Sequence, residues 1–311
     1  MPNQLYPILF MLSSTFSLSL TGLFSKFLGQ HLDTSLFSFL RFIVPTLLIV
    51  ILLVGQRWTL PNRRETVSIG VRALCIAACQ VCFIYSLQRL SLVESVVLFS
   101  TGPLFIPLLE KLIFSVALSR IKLVGLIVTF TGVVMLAGDV SGIEFRPELL
   151  LGLVAGLFNA GSQLSLYRIS QSKLSAWAIN FWTFLFASVL IVPLVAISAT
   201  QQDALYELGD VSVWVLVVTV LALAMLIINT QVFRSKAYKL AESGSQLAPL
   251  IFTNLIFTAL WQLMFFDESY NTFQMLGLAL IIGANVGCVI IPKWRKSRSM
   301  RLARQKGIGL N

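Results

Sequence analysis

The stretch SLFSFLRFIVPTLLIVILL, residues 35–53, decides the fold. As a helix it rises about 28 Å at about 1.5 Å per residue, close to the apolar thickness of a bilayer. It holds no acid and one cation, Arg41. A guanidinium stays charged in a protein, and near a bilayer centre that charge costs at least about 2.5–3.5 kcal/mol. The stretch therefore reads as a membrane span that keeps Arg41 for a structural partner or for a ligand.

The rest of the chain follows the same pattern. Of 311 residues, 57% are hydrophobic and only 12% are charged, with a mean hydropathy of +0.87. Soluble domains carry about 25% charged residues. The apolar runs are long and continuous rather than alternating, which selects helices over a barrel. Ten spans are expected, at about 6–28, 35–54, 67–88, 92–116, 121–138, 149–167, 176–199, 212–233, 243–265 and 273–291. The first run lacks a basic start and exceeds a signal-peptide core, so it reads as a span rather than a removable leader.

The net charge of +10 does not point to nucleic acid, because the cations fall between spans and in the tail. With the N-terminus inside, 17 of the 23 Lys and Arg fall on the inner side and three on the outer, so both termini are expected to be cytoplasmic. For a bacterial source that means the inner membrane. The densest run, KWRKSRSMRLARQK at 293–306, fits the anionic cytoplasmic leaflet.

No chemistry of bond making is visible. Cys75, Cys79 and Cys82 share a helix face with no His or carboxylate beside them, and read as small buried side chains. No metal or cofactor is expected. His31 is the single histidine and has no nucleophile set around it. The absence of a Gly-rich Lys-Ser/Thr phosphate loop argues against an ATP-driven pump.

The two halves echo each other. LSLVES, ending at Ser95, matches YKLAES, ending at Ser243, and each precedes a proline-bearing span, with Glu94 before Pro103 and Glu242 before Pro249. Pro45 and Pro193 share the offset of the Glu pair, 148 residues, and Gly125 and Gly277 open equivalent late spans. Five spans per half is an odd number, so the second half would run inverted, a common build for carriers. The expected fold is an all-α polytopic membrane protein of ten helices in two inverted repeats, 1–140 and 141–292, with a basic tail at 293–311.

The chain also resembles a known family. LRF in the second span, YSLQRLSLVES before the Pro103 span, AYKLAESGSQLAPL before the ninth, and FFDES followed by GLALIIG look like the EamA-like branch of the drug/metabolite transporter superfamily. The resemblance implies two inverted five-helix repeats, cytoplasmic termini, and export or exchange of small metabolites, amino acids or drugs. One departure is Val116, where the family often has an acid of a Gly-Glu pair; Glu268 fits the second-half counterpart.

Polar residues inside spans avoid lipid and face the bundle. The candidate substrate wall is Arg41, Gln80, Tyr85, Asn159, Gln163, Asn229, Gln246, Asn254 and Trp261. The candidate gate is Arg41, Glu94, Pro103 and Pro249, with Arg41 and Glu94 a possible structural pair. Gly152-x-x-x-Gly156 and Gly283-x-x-x-Gly287 read as close helix packing, which leaves monomer or homodimer open. The first reading is a secondary transporter for an amino acid or related zwitterionic or amphipathic solute. The second is a carrier of a nucleotide-type or other anionic cofactor metabolite, which needs more cations at depth than Arg41 alone. A receptor or membrane enzyme is the third.

Overall fold

A computed structural model of the chain describes residues 5–52, 59–114, 147–200, 211–240, 250 and 253–266, with interrupted pieces within 124–135 and 271–291. The helices are α1 (Leu5–Gly29), α2 (Thr34–Leu52), α3 (Arg63–Arg89), α4 (Leu92–Phe99), α5 (Gly102–Phe114), α6 (Pro147–Ser170), α7 (Ala176–Thr200), α8 (Val213–Leu240), α9 (Thr253–Phe265) and α10 (Met275–Ala284). Among the described residues there is no strand. Six helices (α1–α3 and α6–α8) are long and apolar enough to cross a membrane. The fifth, ninth and tenth expected spans are described only in part, and the basic tail lies outside the described residues.

Local chemistry sets the helix starts. Asn62 accepts from the Glu65 amide at 3.0 Å while the Glu65 carboxylate accepts from the Asn62 amide at 2.9 Å. Ser91 and Glu94 do the same for α4, at 3.1 and 2.9 Å. Both are capping boxes, which satisfy two orphan N–H groups at once.

The fourth expected span is not one helix. α4 ends at Phe99, the chain turns through Ser100 and Thr101, and α5 begins at Gly102. Pro103 has no N–H to offer the Phe99 carbonyl, so the helix is interrupted there, and proline is tolerated in the first turn of α5. The Thr101 hydroxyl donates back to the Leu98 carbonyl at 2.6 Å.

The packing repeats under exchange of the two halves. α3 lies on α6 as α1 lies on α8; α4 lies against α6 as α9 lies against α1; α3 meets α7 as α2 meets α8. The α2–α7 and α4–α9 contacts map onto themselves. Pro45 inside α2 and Pro193 inside α7 occupy matching places. Two repeats with equivalent helices produce this pattern.

Small residues set the closest approaches. A Cβ at Gly152 would lie 2.7 Å from Leu98 Cδ1, and one at Gly156 would lie 2.5 Å from Thr101 Oγ1 and 2.8 Å from the Leu98 carbonyl. The expectation for Gly152 and Gly156 thus holds. For Gly283 and Gly287 the described residues give no such contact: among them nothing lies within 4 Å of a Cβ at Gly283, and one at Gly287 meets Ile291. The corresponding close approach is made by Gly132, whose Cβ would lie 2.8 Å from the Gly277 carbonyl.

The distribution of polarity is inside-out. Leu47, Ile51, Val67, Leu74, Trp214 and Val218 are exposed on the flanks, whereas Arg41, Arg72 and Arg234 are buried. That arrangement suits a hydrocarbon solvent.

Candidate functional site

Residues of α1, α2, α3, α4, α6, α7 and α8 line a central space of about 520 Å³, open solvent included. Its polar lining comes from Thr21, Arg41, Gln80, Asn159, Ser162, Gln163, Thr230, Gln231 and Arg234, and its apolar lining includes Phe42, Phe99, Phe184 and Ile227. An adjoining space of about 300 Å³ shares Leu18, Thr21, Arg41, Gln80 and Phe99 and extends to Asn254 and Phe83. Arg41 and Gln80 therefore border both.

Arg41 is 4% exposed. Its Nη1 donates to Ser25 Oγ of α1, and its guanidinium lies 5.6 Å from the centre of the Phe37 ring. The support comes from α1, whereas the Glu94 carboxylate is engaged in the cap of α4. Arg41 Nε is buried with no hydrogen-bond partner among the described residues, and so is Gln80 Oε1. One wall thus offers a cation and a hydrogen-bond acceptor, the pair that receives a carboxylate and an ammonium.

Asn159 and Gln163 stand one turn apart on α6. Gln163 Nε2 donates to Asn159 Oδ1 at 3.3 Å, and the Tyr238 hydroxyl donates to Gln163 Oε1 at 3.2 Å. Asn159 also sits at the α4–α5 break, its Nδ2 3.0 Å from where a Gly102 Cβ would be. Phe99, the last residue of α4, faces both spaces. The break is thus mechanically tied to the cavity wall.

Other expected wall residues lie elsewhere. Asn229 donates to Ser17 and Ser13, joining α8 to α1. Trp261 donates to Ser19 at 3.0 Å, joining α9 to α1. Tyr85 lies beneath the Arg89 guanidinium, 4.1 Å from its ring centre, and is not among the lining residues. Asn254 borders only the smaller space, with its Oδ1 unpartnered among the described residues. Gln246, Pro249 and the side chain of Pro103 lie outside the described residues.

Two cations were not among the candidate wall residues. Arg234 counts there as a link residue, yet α8 runs on to Leu240 and Arg234 is 2% exposed in the cavity wall. Its Nε and Nη2 have no hydrogen-bond partner among the described residues. Arg72, fully buried, donates to Thr183 Oγ1 at 3.0 Å, Asn180 Oδ1 at 2.9 Å and Gln231 Oε1 at 3.1 Å. The signal available in the sequence is the spacing of Gln231 and Arg234, three residues apart on one face of a helix. The cysteines sit at packing positions. Cys79 lines the cavity, and Cys75 Sγ comes within 2.9 Å of a Cβ at Gly161.

The sequence matches the model of the EamA-like transporter family twice, over residues 5–138 and 146–290. It is 23% identical over 289 residues to the pseudopaline exporter CntI of Pseudomonas aeruginosa strain UCBPP-PA14, across 93% of this chain and 96% of that protein. The counterpart from strain PAO1 shows the same identity and coverage. A protein solved by crystallography shares the fold, with a TM-score of 0.57, at 14% sequence identity over 93% of this chain and 96% of that chain.

Proposed function

The chain belongs to the EamA-like transporter family, a family of multi-pass membrane transporters, and on that premise we propose that it exports a small zwitterionic metabolite bearing a carboxylate. One observation carries the reading: Arg41 and Gln80 line the same central cavity, and each keeps a buried polar atom, Nε and Oε1, without a hydrogen-bond partner among the described residues. Arg41 receives the carboxylate and Gln80 the ammonium, while Phe42, Phe99 and Phe184 enclose the carbon skeleton. Outward direction is supported by the relatives, which are exporters.

The repeats run over 1–140 and 141–292 with inverted topology, and the cavity between them opens to alternate sides as one repeat rocks against the other. The α4–α5 break at Ser100 and Thr101 is the bending point in the first repeat, with Glu94 fixing the start of α4. Pro249 has the equivalent task in the second repeat. Both termini face the cytoplasm, the membrane is the bacterial inner membrane, and the basic tail rests on its anionic lipids.

The test is a thermal-shift series on detergent-purified protein, together with counterflow in proteoliposomes. A ligand that binds only the folded state raises its melting temperature. Neutral amino acids are expected to stabilise wild type, and their esters, which lack the carboxylate, to do nothing. In Arg41→Ala the stabilisation by the free acids is expected to fall by about tenfold or more in apparent affinity, the scale of one charge-assisted hydrogen bond. Equal responses to acids and esters, or an Arg41→Ala protein that melts lower yet keeps its ligand shifts, would make Arg41 a strut.

A further inference from the structure

The central cavity has a second cation that one carboxylate does not serve. Arg41 and Arg234 line the same space, and no Asp or Glu is among its lining residues. Both guanidinium groups keep buried N–H groups unpartnered among the described residues: Nε of Arg41, and Nε and Nη2 of Arg234.

The two arginines reach the cavity from opposite faces of the bundle. On one face, Gln88 near the end of α3 donates to the Gly29 carbonyl that ends α1 and to the Leu32 carbonyl of the α1–α2 link. Lys26 near the end of α1 donates to the Leu87 carbonyl at 2.9 Å. α2 begins there, and Arg41 lies two turns into it. On the other face, Gln171 after α6 donates to the Tyr238 carbonyl at 3.1 Å, near the end of α8. Trp182, in the first half of α7, donates to the Thr59 carbonyl, just before α3. Arg234 lies less than two turns from the end of α8 on this second face. Arg72 donates to Gln231, one turn before Arg234, so positive charge gathers at that end.

A buried guanidinium without a counter-charge is strongly disfavoured and cannot be discharged by losing its proton. With no carboxylate among its described lining residues and such a group towards each end, the cavity suits a ligand that brings the negative charges itself. Resting on the reading above, we propose that the exported solute is an elongated diacid: one acid group held by Arg41, the second by Arg234, and a middle portion against Gln80, Asn159 and Phe99. Arg72 is a positioning residue, which orients Gln231 and adds field at the Arg234 end.

The experiment compares dicarboxylic amino acids with their side-chain amides on the purified full-length protein: glutamate with glutamine, and 2-aminoadipate with its amide. Apparent affinities are read by thermal shift and by inhibition of counterflow. Wild type is expected to prefer each diacid over its amide by about tenfold or more, and 2-aminoadipate more strongly than glutamate if the acids must span the cavity. In Arg234→Gln the diacid-to-amide ratio is expected to fall to about one. Arg64→Gln, at an exposed position early in α3, is expected to keep the wild-type ratio. A wild-type ratio near one overturns the proposal whether or not the variants fold, as does a ratio that survives in Arg234→Gln. If the amides bind and are carried while the diacids gain nothing, the second acid is wrong and the zwitterion reading stands. If neither series binds, both fall.

Discussion

Gly156→Val is expected to give little folded protein, and Gly156→Ala a protein that melts well below wild type and transports slowly. A methyl group at Gly156 would sit 2.5 Å from Thr101 Oγ1 and 2.8 Å from the Leu98 carbonyl. One obstacle is backbone. The other is a hydroxyl already committed to the Leu98 carbonyl, so neither moves cheaply. Overpacking of this kind costs typically about 1–3 kcal/mol for a small insertion. Valine adds two further methyl groups against the same wall. The damage also reaches function, because Phe99 and Asn159 flank this contact and line the cavity. Removing the hydroxyl with Thr101→Ala is expected to recover part of the Gly156→Ala loss and not all of it, since the Leu98 carbonyl remains. Gly283→Val, where none of the described residues lies within 4 Å of a Cβ, is the matched control and is expected to melt near wild type. Unchanged melting and flux in Gly156→Ala would mean that the α4–α5 break does not rest on α6 as described.

The long helices were legible in the sequence because the bilayer forces continuous apolar runs of fixed length. The expected span at 149–167 became Pro147–Ser170, and that at 176–199 became Ala176–Thr200. The anomaly of Arg41 was legible too, since a cation inside such a run needs a reason. Arg234 was not, because counting cations by side treats a charge near the end of an apolar run as a link residue. α8 continues for two turns past that end, and its Gln231 and Arg234 turn inward. Asn229 and Trp261 were misplaced for a different reason. A polar side chain in a span is satisfied equally well by a neighbouring helix or by a cavity, and α8 is apolar on nearly every face, so no stripe fixes its rotation. The second cation of the cavity was hidden by the first error, which also explains why a carrier of anions looked poorly furnished from the sequence alone.

Arg72→Met sets two large effects against each other, and the expected outcome is a net loss of stability. The substitution removes a fully buried guanidinium that has no carboxylate among its hydrogen-bond partners, which by itself is favourable. It also strips the donor from Asn180 Oδ1 and Gln231 Oε1. Each buried acceptor left unpaired costs about 1–3 kcal/mol. Asn180 cannot turn away freely, because its Nδ2 donates to the Ala176 carbonyl at 2.8 Å and to Ser235 Oγ at 3.1 Å. Ser235 in turn donates to the Gln231 carbonyl at 2.8 Å, so the loss spreads across the α7–α8 contact. Methionine fills much of the volume but restores no donor. A drop of about 2 kcal/mol or more is therefore expected, read as melting in detergent, with a fall in the diacid-to-amide ratio beside it. Adding Asn180→Leu removes one stranded acceptor and is expected to raise the melting point of Arg72→Met, although Asn180→Leu alone lowers that of wild type. That reversal of sign is the signature of a strut whose partners exist for its sake. If Arg72→Met melts at or above wild type, the desolvated charge outweighs the three bonds. Arg72 would then be retained for the field it projects towards Arg234 and the bound anion, and its loss would show as a fall in diacid preference rather than in stability.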